Sequence, residues 1–176
     1  MADTKFNTAA GQTIAREMLI AYLNVGESSS PEWSPIGKRV EDSSMEMDWA
    51  TETVNDILGN VYSSMKKPTI TQSFDPWNLD GGDEAQQKIW QLAVKEQNAQ
   101  ALAAQDMLIV HLYAGTANTA TFAERYSACS IEVTSLGGEG GGNIGMSTNV
   151  TYGGTRTVGT AAVADGTVTF TPDVNV

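Results

Sequence analysis

The residues in this chain whose types and spacing bear on chemistry are few, and most of them argue against catalysis. There is one histidine, His111, and one cysteine, Cys129, in 176 residues, so a zinc site built from several such ligands is excluded. A nucleophile–base pair would need His111 as its base, yet no G-x-S-x-G elbow or comparable cue accompanies it. Lying in the apolar run 107–113, His111 reads as a satisfied core or interface side chain. Cys129 has no partner for an internal disulfide and reads as a small buried hydrophobe. The glycine run at 138–142 lacks G-x-G-x-x-G spacing, and Glu139 stands where a phosphate would sit, so it is a flexible loop. Asp80, Asp83 and Glu84 lack the spacing of a calcium loop, and helix capping accounts for Asp83. Glu46, Asp48 and Glu52 share one side of an extended run, where alternate residues stand roughly 6.5–7 Å apart. Two carboxylates at that separation suggest a glycosidase pair. No aromatic-lined sugar cleft accompanies them, and a solvated acidic face is the simpler reading. No catalytic residue, metal ligand or cofactor is assigned.

Charge narrows the partners. Ten basic side chains face 21 acidic ones, a net of −11. A phosphate-gripping protein needs a basic footprint, and docking on an anionic membrane needs the same. The N-terminal stretch 1–12 is polar, without the apolar stretch of a signal peptide, and no run is long enough to span a membrane. The expectation is one domain that starts in the cytoplasm.

The elements that must position these residues are mostly strands. Residues 18–25 alternate, with Leu19, Ala21, Leu23 and Val25 on one face. Residues 26–35 read as a loop holding Trp33. The clearest period-2 pattern covers 45–53: Met45, Met47, Trp49, Thr51 and Thr53 on the packed side, the acids on the other. Residues 55–68 fit no regular element. A strand at 69–74 is closed by Asp75, Pro76 and Trp77. Residues 83–100 predict one helix, with Asp83 as N-cap and Gln86 in a capping-box position. Residues 107–113, apolar on both faces, suit a central strand; 126–133 alternate with Cys129, Ile131 and Val133 inward. Strands at 144–152, 156–163 and 168–172 are separated by Gly153-Gly154 and Asp165-Gly166, both read as hairpin turns. The fold class is mainly β: an antiparallel β-sandwich or barrel-like domain with one flanking α-helix.

With the strands placed, the chain resembles the major tail protein, or tail tube protein, of siphophages infecting Gram-positive hosts. The residues carrying the likeness are the run 45–53 continuing into 55–59, the strand 69–76 leading into a loop and helix, and 149–155 followed by 166–171. The resemblance implies one tail-tube domain over 1–176, with an N-terminal arm at 1–15 and an inter-subunit loop at about 54–68. It implies homohexameric rings, closed through sheet edges and stacked into a tube for DNA ejection, and a structural protein rather than an enzyme. Ile57, Leu58, Val61, Tyr62 and Met65 then become inter-subunit contacts, which gives exposed apolar side chains a reason. Glu46, Asp48 and Glu52 become lumen-facing acids that let DNA pass without binding. The implied partners are the chain itself, a tape measure protein and tail terminator and initiator proteins, with no membrane. The implied location is the virion tail, assembled in host cytoplasm. Two other readings stand: the inner tube protein of a contractile tail, tailocin or secretion-type injection system, and a small hydrolase using the acids at 46–52.

Overall fold

Alternating polarity puts most of this chain into antiparallel strands. The computed structural model describes residues 4–173. The strands are β1 (Leu19–Asn24), β2 (Trp33–Ile36), β3 (Met45–Asp48), β4 (Glu52–Asn55), β5 (Val61–Ser64), β6 (Thr69–Asn78), β7 (Gln105–Thr116), β8 (Ala120–Gly137), β9 (Gly145–Tyr152), β10 (Arg156–Ala164) and β11 (Thr167–Pro172). Nine of them form one continuous sheet, and β4 and β5 form a separate hairpin.

The 18-residue β8 organises the whole sheet. Its first half lies between β7 and β10, and its second half pairs with β9. The sheet therefore bends along β8 into two layers: β2-β1-β7-β8-β10-β11, and β8-β9-β6-β3. Between the layers sits the main core, with Leu23, Met107 and Ile109 from the first and Phe74, Trp77, Ile131, Met146 and Val150 from the second. A smaller cluster of Tyr22, Trp33, Leu108, Val110, Ala123, Ala161 and Val168 fills a second interior formed within the first layer. This is the mainly β, sandwich-like fold expected from the sequence, flanked by a short helix.

Several local expectations are corrected. Trp33 is not in a loop: it is buried at the start of β2, which pairs with β1. The run 45–53 is two strands. Asp48 Oδ1 accepts from the Ala50 amide at 2.9 Å, and Ala50 adopts φ +44°, a local turn that swings the chain out of β3. Residues 55–68 are not shapeless; they complete the β4–β5 hairpin and lead into β6. Strand β6 does not stop at Asp75. Its register against β9 slips between Phe74 and Trp77, which takes Pro76 out of the ladder and lets Trp77 bury completely.

The helix predicted at 83–100 is broken. Asp83 does cap α1 (Glu84–Trp90), accepting from the Gln86 amide at 3.0 Å. The Gln86 side chain turns instead to the Asp80 amide and the Asn78 carbonyl, so the reciprocal half of a capping box is absent. A π-turn follows at Gln91–Lys95, Gln97 at φ +50° ends it, and Asn98 caps a single turn, α2 (Ala99–Leu102). Gly153-Gly154 is likewise not a hairpin turn, because β9 and β10 both pair with β8. The chain crosses the bend of β8 there so closely that a Cβ on Gly154 would stand 2.7 Å from the Ala128 nitrogen, at φ +72°.

Candidate functional site

The second layer has an inner face in the core and an outer face in solvent, and the register fixes what the outer face carries. One row across the four strands is Glu46, Thr71, Thr151 and Ser130. The next is Ser73, Asn149 and Glu132. A third joins Ser135 to Ser147, whose hydroxyls lie 2.8 Å apart, and Ser147 donates to Asp75. Asp48, paired with Thr69, extends the face at one corner. Among these paired positions the outward side chains are carboxylates, hydroxyls and one amide, with no lysine, no arginine and no large apolar group. Lone hydroxyls and unpaired carboxylates in water bind polyanions poorly, so the surface repels phosphate rather than gripping it.

Both margins of this layer are open. Strand β3 pairs only with β6. At the other margin, β9 and β10 occupy one side of β8 while β7 ends at the Gln105–Cys129 pair, so residues 130–137 of β8 have no strand on their second side. A groove along that side is lined by Ala93, Val94, Leu102 and the strand itself from Ser130 to Leu136. An unpaired edge of this length, free of proline and lysine, is a template for another strand.

The β4–β5 hairpin has no buried residue. It is nevertheless ordered at its tip by one carboxylate. Asp56 accepts from the Leu58 and Asn60 amides at 2.8 Å each, from Asn60 Nδ2 at 2.8 Å and from the Tyr62 hydroxyl at 3.2 Å. These hydrogen bonds, Asn60's first among them, hold the Asp56 carboxyl below its ordinary range. The turn presents Ile57 at 103% and Leu58 at 82% relative exposure. Val61, Tyr62 and Met65 are also exposed. All five residues expected at an inter-subunit contact therefore lie open on one projecting element.

The acids expected on a single strand are divided. Glu46 and Asp48 are on the outer face of β3, whereas Glu52 is on the hairpin and accepts from Lys66 Nζ at 2.8 Å. The turn at Ala50 separates them. Met47 and Trp49, expected to pack, are half exposed at a mouth of about 540 Å³ between the layers, with Lys67, Ile70, Glu124, Tyr126, Tyr152 and Arg156. Reading the sequence strand by strand missed Asp75 and Glu132; Glu132 was legible as the outward neighbour of Ile131, but only the register joins it to Glu46.

At the floor of that mouth Glu124 is buried, accepting from His111 Nε2 at 2.9 Å, Arg156 Nε at 2.5 Å and the Tyr126 hydroxyl at 3.0 Å. Burial alone would raise its carboxyl, but the hydrogen bonds and charges of His111 and Arg156 outweigh burial and hold it at about 2. His111 Nδ1 meets the Tyr113 hydroxyl at 2.8 Å, so both its nitrogens are used inside the fold. Cys129 is buried and its thiol is pushed up by desolvation to about 12. Among the described residues no three His, Cys, Asp or Glu side chains converge to hold a metal, and no helix is long and apolar enough to cross a membrane.

No protein-family model and no curated protein matches the chain. Among solved structures it is similar to the sheath/tube terminator of an extracellular contractile injection system (PVC) in the extended state, with a TM-score of 0.50 and 13% identity over 85% of this chain and 99% of that one. The sheath-tube complex of the same kind of system gives a TM-score of 0.48, 11% identity, 85% of this chain and 93% of that one. The tube-terminating cap of the anti-feeding prophage gives 0.45, 19% identity, 92% and 100%. The chain thus shares the fold of a tube-terminator protein.

Proposed function

We propose that this chain is a structural subunit of a phage-tail-like tube: identical copies join edge to edge into a ring whose inner wall is the outer face of the second layer. The observation that carries this reading is that face itself, acidic and hydroxylic without a cation, lying between two open strand edges of the same layer. When β3 of one copy pairs with residues 130–137 of β8 in the next, one sheet continues from copy to copy and every carboxylate stays on the same side. A closed ring of this kind abolishes its edges. Glu46, Asp48, Asp75 and Glu132 then face the channel, and the repeated charge in a narrow space keeps DNA moving rather than adhering. Glu52, bound to Lys66, contributes little to that field. Hexameric closure, a tape measure protein within, terminator and initiator proteins at the ends, and a place in the virion tail after assembly in host cytoplasm complete the siphophage form of this reading.

A second reading is favoured by the likeness to a tube terminator: one ring that caps a tube in a contractile injection system. Negative-stain microscopy of the concentrated protein separates the two. Long hollow tubes support the tube subunit, and single rings that never stack support the cap. A monomer at every concentration, with or without an initiator complex, overturns both.

A further inference from the structure

We infer that the Ile57–Leu58 tip of the hairpin is a key for the mouth between the layers of a second copy, where Met47, Trp49, Ile70 and Tyr152 receive it. This rests on the ring reading and adds which surface meets which. Three observations support it. The tip is preorganised: the Asp56 carboxylate binds two backbone amides and two side chains of its own turn, so the two aliphatic side chains are displayed without an ordering cost at the moment of contact. A loop with no partner has no use for an ordered apolar apex standing in water. The mouth is the complement in shape and polarity: about 540 Å³, within the range that holds a small apolar group, and lined mainly by apolar and aromatic side chains. Charge matches at one point as well: Asp56 at the tip meets Lys67 at the rim, which makes no ion pair among the described residues, while Arg156 is already paired with Glu124.

The relation is head to tail. The mouth lies where Trp49 and Lys67 flank the hairpin, so each copy offers its tip at one end of that hairpin and a receptor near the other. A heterologous contact closes into a ring or runs on as a line according to the rotation between copies. Since the edges of the second layer join copies within a ring, the key-and-mouth contact is assigned to the step from one ring to the next.

Single-cysteine variants test the pairing. Leu58→Cys protein mixed with Lys67→Cys protein is treated with a short bis-maleimide after assembly, and the control mixture replaces Lys67→Cys by Glu139→Cys on the glycine loop. Both positions are exposed, and native Cys129 is buried and does not compete. The expected result is a covalent dimer at least tenfold above the control. Rings or tubes seen by microscopy with dimer no higher than the control overturn the key-and-mouth pairing and leave the ring reading standing. Absence of any assembly in both mixtures and in the unmodified protein overturns the pairing and the ring reading together.

Discussion

The outer face of the second layer and the β4–β5 hairpin both face solvent, yet they are built on opposite principles. The face sits on a packed sheet whose other side holds Phe74, Ile131 and Val150, so its backbone is rigid and its side chains are free to be anything soluble. They are acids, hydroxyls and an amide. The hairpin packs on nothing and is held by its own ladder and by Asp56, yet it carries the most exposed aliphatic residues of the described chain. A surface that must touch nothing is polar on a firm base; a surface that must be covered is apolar on a free arm. Exposure alone does not distinguish the two, and chemistry does.

The largest effect expected from breaking this contrast is on the hairpin. Ile57→Asp with Leu58→Asp should abolish assembly beyond single rings while the isolated subunit melts within a degree or two of the parent, since neither side chain touches the core. Electron microscopy and a thermal melt on the same sample read both halves. Tubes of normal length from this variant would remove the hairpin from any stacking contact.

Next is the face. Glu46→Lys and Glu132→Lys together remove no side-chain contact of the fold, so they leave folding unchanged but turn the wall into a cationic lining. Assembled protein should then retain duplex DNA in a salt-dependent manner, losing about 10³-fold in affinity between low and moderate salt as phosphate contacts accumulate. Filter binding against sodium chloride measures it. In a phage background the same changes should slow genome ejection without preventing assembly. Ejection at the parental rate by particles built from this variant would mean that this face is outside the channel.

How far this contrast was readable beforehand follows from which signals are local. Strand-forming runs are local, so β1, β9, β10 and β11 are legible nearly to their ends and β7 in its apolar middle, whereas the contact role of Ile57, Leu58, Val61, Tyr62 and Met65 comes from the resemblance alone, since 55–68 fits no regular element by itself. The break at Ala50 was not legible, because it depends on one Asp48 side chain choosing the amide two residues on over continued extension. The helix failed for a related reason: its stripe of Ala85 and Ile89 is only two turns deep, too little core contact to hold a longer rod against Gln97. The crossing at Gly153-Gly154 and the union of Glu46 with Glu132 depend on non-local pairing through β6 and β9, which no window of sequence contains.

A third test separates the two kinds of carboxylate. Glu46 and Glu132 on the face are solvated and make no side-chain contact within the fold, whereas Glu124 is buried with His111 and Arg156. Glu124→Gln should destabilise by about 3 kcal/mol, because it strands Arg156 without its counter-charge. Since the folded carboxyl lies at about 2, below its ordinary value of 4.5, its contribution is fully present above pH 4.5 and is lost as pH falls toward 2. The parent should therefore show a loss of stability in that acid window that Glu124→Gln largely lacks. Denaturant titrations between pH 2 and 6 measure both curves; parallel curves would mean the ion cluster is not holding the two layers at the mouth.

The smallest effect is the one that checks the division of the acids. Lys66 and Glu52 bridge β5's end to β4 with side chains 66% and 59% exposed, and an ion pair that open to water is worth about 0.5 kcal/mol or less. Lys66→Ala should leave the melt almost unmoved and should leave DNA retention by the lysine-substituted face unmoved as well, even though it unmasks a carboxylate. If Glu52 instead shared the channel wall with Glu46 and Asp48, freeing its charge would measurably weaken that retention, because one more uncompensated acid per copy would oppose the phosphates across the whole ring. A null result in that binding curve places Glu52 with the hairpin in function as well as in geometry, and makes the turn at Ala50 the boundary between the surface that repels and the surface that joins.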